Sequence, residues 1–151
     1  MPSNIIFRKT TNGLGGNSTA EEVSAAGMNN IFDDVSKDEA LAGDTEYRAI
    51  DLFNNGNATA VVVTAYLTGD TVSNYSVLHM GALAATGGTL AIANESTAPA
   101  GVTFAERLSG NALSLPDIPA GSYVRLWLKR TIGAGAENIA SDGTILEVSY
   151  A

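Results

Sequence analysis

Enzyme chemistry is commonly built on histidine, cysteine or facing carboxylates, and this sequence supplies little of the first two. It contains one histidine, His79, and no cysteine. A histidine pair for a transition metal, thiolate zinc ligands, a cysteine nucleophile and disulfide staples are therefore excluded together. His79 lies among Val77, Leu78 and Met80 in a strand-like run and reads as structural. A Ser-His-Asp triad would need a serine beside it and a carboxylate behind it, which no spacing in the chain supplies, and the G-x-S-x-G elbow is absent. Gly13-Leu14-Gly15-Gly16 follows a strand pattern, as a phosphate loop would, but no Gly-Lys-Ser/Thr ending follows it, so it reads as a flexible loop. The carboxylates Asp33-Asp34 and Asp38-Glu39 have the oxygens that calcium wants but not the EF-hand spacing, and solvated charge is the simpler reading. The sequence therefore predicts no catalytic residue, no metal ligand and no cofactor.

Aromatics interleaved with cations offer a different chemistry. In Ser122-Tyr123-Val124-Arg125-Leu126-Trp127-Leu128-Lys129-Arg130, strict alternation puts Val124, Leu126 and Leu128 on one face and Tyr123, Arg125, Trp127 and Lys129 on the other. The first face demands a core. The second is a stacking platform for glycans, a face that packs beneath a loop, or a protein interface; the flanking arginine and lysine favour the interface, where aromatic and arginine residues are enriched.

The elements that must position these residues are short strands. Leu115 to Gly121, with Pro116 and Pro119, is a turn into the strand from Ser122. Thr144 to Tyr150 alternates with Leu146, Val148 and Tyr150 inward, after the turn residues Ser141-Asp142-Gly143. The connection Thr131 to Ala140 is a longer loop or holds a short strand of its own. Glu46 to Phe53 and Thr59 to Leu67 flank Asn54-Asn55-Gly56-Asn57-Ala58 and predict a β-hairpin, whose second strand is apolar on both faces and so central to a sheet. Asn4 to Lys9, Tyr75 to Met80, Thr89 to Ala93 and Val102 to Arg107 complete about seven or eight strands. The expected fold is an all-β, antiparallel β-sandwich, Ig-like or a jelly-roll Greek key, in one domain over residues 1–151.

Residues 10–45 interrupt the strand rhythm with a loop-rich arm. Thr19-Ala20-Glu21-Glu22 and Ser36-Lys37-Asp38-Glu39 both match the capping box, with Gly27 and Gly43 placed as C-terminal caps, which predicts two helices of one or two turns. Ile31 and Phe32 stand between them as apolar plugs and join Tyr123, Arg125, Trp127 and Lys129 as candidate interface residues. The alternative is a solvated acidic connection of no special role. Thr10 to Ser18 is a glycine-rich segment expected to order on binding.

Charge narrows the partners. Sixteen Asp and Glu stand against eight Lys and Arg, a net charge of -8, which repels phosphate backbones and anionic head groups, so neither nucleic acid nor membrane is an expected partner. No apolar run approaches the roughly 18 residues of a spanning helix, and the N-terminus does not read as a signal peptide.

Asn30-Ile31-Phe32-Asp33-Asp34-Val35-Ser36, Glu39-Ala40 and Gly43 to Arg48, followed by a strand and Asn54-Asn55, resemble small virion structural proteins of tailed bacteriophages. Asp117 to Ser122, Trp127 to Arg130 and the Ile132 to Ala136 loop look like the same group, so the similarity spans most of residues 30 to 150. The resemblance implies a capsid decoration, or cement, protein: a non-enzymatic sandwich on the capsid surface, assembled in the host cytoplasm, bound to the major capsid protein and itself a dimer or trimer. A tail, fibre or head-tail junction protein is the second expectation, and a glycan-binding module using Tyr123 and Trp127 the third.

Overall fold

The alternation that marks residues 122–130 produces an interior strand of the larger sheet. The computed structural model describes residues 2–23, 31–68, 76–136 and 144–151. They form an antiparallel β-sandwich of eight strands: β1 Ile5–Thr10, β2 Ser18–Glu22, β3 Asp44–Asn54, β4 Thr64–Thr68, β5 Ser76–Thr86, β6 Leu113–Ser114, β7 Tyr123–Ile132 and β8 Ile145–Ser149, with one short helix, α1 Lys37–Ala42, before β3. One sheet runs β2-β1-β3-β7-β5 and the other β6-β4-β8. The β3–β7 ladder is the spine, in unbroken register from Asp44 opposite Ile132 to Phe53 opposite Tyr123.

Cross-strand partners share a face, so this register sorts the two strands into two sets. Ile50, Leu52, Val124, Leu126 and Leu128 face the smaller sheet and form the main core with Ala60, Val63, Ala65, Leu67, Met80 and Ile118. Tyr47, Ala49 and Trp127 face the other way, where a second core closes over them with Ile92, Leu14, Leu90, Val102 and Phe104. The large sheet is thus covered on both sides, by a sheet and by a layer of loops. The expectation that one face of β7 is surface is corrected here: Trp127 is 1% and Arg125 5% exposed. Two glycines let the loops come close enough. A Cβ on Gly15, whose φ is +87°, would stand 2.1 Å from the Leu90 carbonyl oxygen and 3.0 Å from Trp127 Cη2, and one on Gly81 would stand 2.3 Å from the Thr103 carbonyl oxygen. The Gly13–Gly16 segment is therefore part of this roof, with Gly15 bridged to Ala91, rather than a free arm.

The hairpin expected around Asn54 to Ala58 does not form. The turn is there, but β3 pairs with β1 and β7, whereas β4 lies in the other sheet between β6 and β8. The reason lies in two residues. Asn54 is fully buried and uses its whole amide: Nδ2 donates to the Ala58 and Ile118 carbonyls at 2.8 Å, and Oδ1 accepts from the Asn4 and Gly56 N–H groups. This clamps the turn to the N-terminus and to the 115–121 turn instead of to a returning strand. Val62 then takes φ 53° and turns its side chain out, 74% exposed. That kink shifts the alternation by one residue, so Ala60 and Val63, Ala65 and Leu67 all face one core. Apolar residues on both parities reflect the kink, not a strand buried on both sides.

Of the two capping boxes, one holds. Ser36 Oγ accepts from Glu39 N–H at 3.2 Å, Glu39 Oε2 accepts from Ser36 N–H, and Gly43 caps the end of α1 at φ 80°. Thr19 to Glu22 is strand instead: Thr19 Oγ1 donates to the Lys9 carbonyl at 2.7 Å and the segment pairs with β1, a sheet edge that outcompetes one local turn. Gly27 lies outside the described residues. Of the weaker strands, Tyr75 to Met80 becomes β5 from Ser76 on, Tyr75 itself lying outside the described residues, while Thr89 to Ala93 and Val102 to Arg107 contribute only the single bridges of Ala91 and Ala105. In the connection after β7, the Gly135 and Ala136 N–H groups donate to the Leu41 and Ala40 carbonyls of α1; residues 137–143, including Ser141-Asp142-Gly143, lie outside the described residues.

Candidate functional site

Two opposite charges interrupt apolar runs: Asp51 between Ile50 and Leu52, and Arg125 between Val124 and Leu126. The register places them directly opposite one another on the loop-covered face. Arg125 Nε and Nη2 donate to Asp51 Oδ1 and Oδ2 at 2.8 and 3.0 Å, and Nη1 donates to the Gly16 and Leu90 carbonyls at 2.7 and 3.0 Å. A planar guanidinium fits this fork, and its last donors tie two roof loops to the sheet. The expectation that Arg125 faces a partner protein is corrected by these contacts: its charge is spent within the chain.

A second ionic centre lies on the opposite face, at the α1 end of the same ladder, where Glu46 is opposite Arg130. Glu46 is 1% exposed. Its Oε2 accepts from Arg130 Nε at 2.6 Å, while Arg48 Nη2 lies 3.7 Å from its Oε1 and 2.6 Å from Glu95 Oε2. Asp33 Oδ1 stands 3.5 Å from both guanidinium groups, and its carbonyl accepts from Arg130 Nη1 at 2.8 Å. Burial pushes the Glu46 carboxyl above its ordinary pKa; the Arg130 hydrogen bond and the charges of Arg130 and Arg48 pull it back, and Asp33 adds to the rise.

Phe32 is a lid on this centre. The Arg130 and Arg48 guanidinium carbons lie 4.8 and 5.5 Å from its ring centroid, within cation–π range, and both Phe32 and Ile31 pack half-buried against the main core. Tyr123 is half-buried with its hydroxyl donating to the Gly88 carbonyl at 2.8 Å, and Lys129 is half-buried opposite Tyr47 and His79. Trp127 sits beneath the roof, so it presents no open ring for a sugar to stack on. Of the six residues singled out from the sequence, the structure brings Ile31 and Phe32 to one ionic centre and Tyr123, Arg125 and Trp127 beneath or beside the roof. The centre around Glu46 was not anticipated; its signal was Glu46 and Arg48 on the same parity of β3 as the core residues Ile50 and Leu52.

A cleft of about 550 Å³ lies between β1 and β8, lined by Ile5, Phe7, Tyr66, Leu146, Glu147, Val148, Ser149 and Tyr150. It opens because β8 ends its sheet and no described strand pairs with its outer edge. Tyr66 donates to Glu147, and that hydrogen bond and charge raise the phenol pKa. No nucleophile with a histidine base lines it. No protein-family model matches the chain, and no curated protein or solved structure resembles it significantly.

Proposed function

We propose that the chain is a structural protein that docks on other proteins, and that it decorates and reinforces the outside of a tailed-bacteriophage capsid by binding the major capsid protein. The observation that carries the docking reading is the β1–β8 seam: a cleft of mixed lining, with Ile5, Phe7, Leu146 and Val148 beside Tyr66, Glu147 and Ser149, along a strand edge that no described strand pairs, with Ile145, the first residue of β8, 58% exposed. An extended segment of a partner can add to such an edge, gaining main-chain hydrogen bonds while alternate side chains enter the cleft. The strongest ionic groups support a non-catalytic role, because Asp51, Arg125, Glu46 and Arg130 are held against one another. The viral setting rests on the sequence resemblance over residues 30 to 150.

Purified protein added to bare shells of the phage that encodes it should bind to saturation at a symmetry-related stoichiometry and raise the temperature at which the shells break. Ile145→Asp should weaken that binding by roughly 10-fold, the loss of one good apolar anchor, with the fold intact by circular dichroism. No binding to shells overturns the reading. A copy number of a few per particle, located on tails, replaces it with the tail or junction role.

A further inference from the structure

Charge is divided unequally between the two ends of the sandwich. β3 runs from Asp44 to Asn54, about 34 Å of extended chain. Asp33, Glu39, Glu46 and Glu95 gather with Asp44 at the first end. At the Asn54 end, residues 2–4, 54–63, 115–122 and 149–151 meet. The Asn57 N–H donates to the Pro2 carbonyl, Val61 and Ala151 exchange main-chain hydrogen bonds at 3.0 and 2.9 Å, Ala60 is bridged to Ile118, and the Asn54 amide clamps two of the segments together. In a chain of net charge -8, these segments carry one charged side chain, Asp117.

Val62 projects from this end. It is a β-branched residue at φ 53°, a backbone conformation that asparagine or glycine adopts at lower cost, and its side chain is 74% exposed. The kink needs only a residue that accepts positive φ; the core gains nothing from a valine turned out to solvent. An apolar side chain kept there against the preference of its backbone points to a contact outside the chain. The other exposed residues of these segments include Pro2, Ala58, Thr59, Pro119 and Ala120, short or rigid side chains that lose little freedom when covered. The backbone beneath them is fixed: a Cβ on Gly56 would stand 2.2 Å from the Pro2 carbonyl oxygen. Such a surface is organised before anything binds it.

We propose that this end docks a second copy of the chain, the two copies meeting end to end about a two-fold axis with Val62 of each as the apolar anchor. Net charge selects this occupant. Two chains of charge -8 repel wherever acidic surface meets acidic surface. Joining the charge-poor ends places the acidic ends two strand lengths apart, far beyond the roughly 8 Å over which charges are felt at physiological salt. A two-fold contact lets one patch serve both copies, and the core of an interface is depleted of charge in the same way. Ile145, the anchor of the β1–β8 seam, lies at the other end of β8, since Thr64 pairs with Ser149 and Thr68 with Ile145. The two contacts are therefore separable, and this one stands whether or not the chain docks on a capsid.

The full-length protein at physiological salt is followed by sedimentation equilibrium from about 1 μM to about 1 mM, the weak end of specific association. A reversible monomer–dimer equilibrium is expected, tighter at high salt because screening removes the residual repulsion and leaves the apolar contact. Val62→Asp, which suits a left-handed backbone, puts like charges across the axis and should raise the dimer dissociation constant by roughly 10-fold or more, with the fold intact by circular dichroism. Val62→Asn should weaken the dimer by a similar factor without lowering the melting temperature of the monomer, so that the loss is read at the contact and not in the fold. Ile145→Asp should leave the dimer unchanged. A protein that stays monomeric to about 1 mM overturns the proposal, as does a dimer whose affinity neither Val62 variant changes, or one that Ile145→Asp weakens as much as they do. If the unaltered protein is monomeric and Val62→Asp abolishes binding to shells, the surface belongs to the capsid contact and the second copy is excluded.

Discussion

The β3–β7 ladder carries two buried carboxylate–guanidinium pairs, and they are built to different degrees of completion. Asp51 and Arg125 satisfy each other in a two-pronged fork, and the spare donors of Arg125 go to two backbone carbonyls. Glu46 and Arg130 face each other in the same register relationship, but Glu46 keeps an undonated oxygen and shares its surroundings with Asp33, Asp44, Glu39 and Glu95. The difference comes from what closes over each pair. Loops with glycines at the points of contact seal the first, so every polar group must be paired inside the chain. The second opens at the end of the sandwich, beneath Phe32 and α1, where unpaired capacity can be met from outside. A completed buried pair rigidifies a fold; an incomplete one is a place where a proton or an ion can act.

The largest expected effect comes from breaking the completed pair. Asp51→Ala leaves Arg125 buried without its counter-charge and should cost about 3–5 kcal/mol, read as a shift in urea midpoint. Replacing both, as Asp51→Leu with Arg125→Met, should cost clearly less than the single change, since apolar replacement of a whole buried pair is often neutral. A double variant as unstable as the single one would show that the carbonyl contacts to Gly16 and Leu90, rather than the ion pair, hold the roof. Reversing charge at Arg125 is for the same reason a test of folding, not of docking.

Lifting the roof itself should have a smaller effect. Gly15→Ala puts a methyl group on the Leu90 carbonyl and on Trp127 at a positive φ, which should cost about 1–3 kcal/mol, the usual range for overpacking. The chain has one tryptophan, so its emission reports this site alone. A red shift in the folded variant is expected as water reaches Trp127. Unchanged emission and stability would mean that the loop layer does not seal this face.

The contrast between the faces also shows how far residue patterns reach. Val124, Leu126 and Leu128 announced the main core because strict alternation allows little else. Leu146, Val148 and Tyr150 did the same for β8, and the Ser36–Glu39 capping box for α1. The second core was not legible, because Tyr123, Arg125, Trp127 and Lys129 look like any amphipathic outer face until the loops of residues 11–17 and 89–104 are placed above them. Nothing local to a strand says whether a loop will cover it. The sheet assignment of β4 was hidden for a different reason: the φ of Val62 shifts the parity of its neighbours, so a kinked half-buried strand looked like a fully buried one. Both ionic pairs needed the β3–β7 register, which depends on contacts distant in sequence.

The smallest effect tests the incomplete pair, and its direction follows from linkage. Burial raises the Glu46 pKa above 4.5, with Asp33 adding to the rise and Arg130 and Arg48 opposing it. A carboxyl that binds its proton more tightly in the folded state contributes stability that is fully present below its unfolded pKa and lost as pH rises through the folded one. Glu46→Gln, which cannot ionise, removes that dependence. The stability of the unaltered protein minus that of Glu46→Gln, from urea midpoints in EDTA at several pH values, should therefore fall as pH is raised from about 4 towards neutrality. Asp33, Glu39, Asp44 and Glu95 surround the same carboxyl in both proteins, so the difference isolates Glu46. Curves that stay parallel would show that the two arginines compensate Glu46 fully, making it as complete as the Asp51 pair.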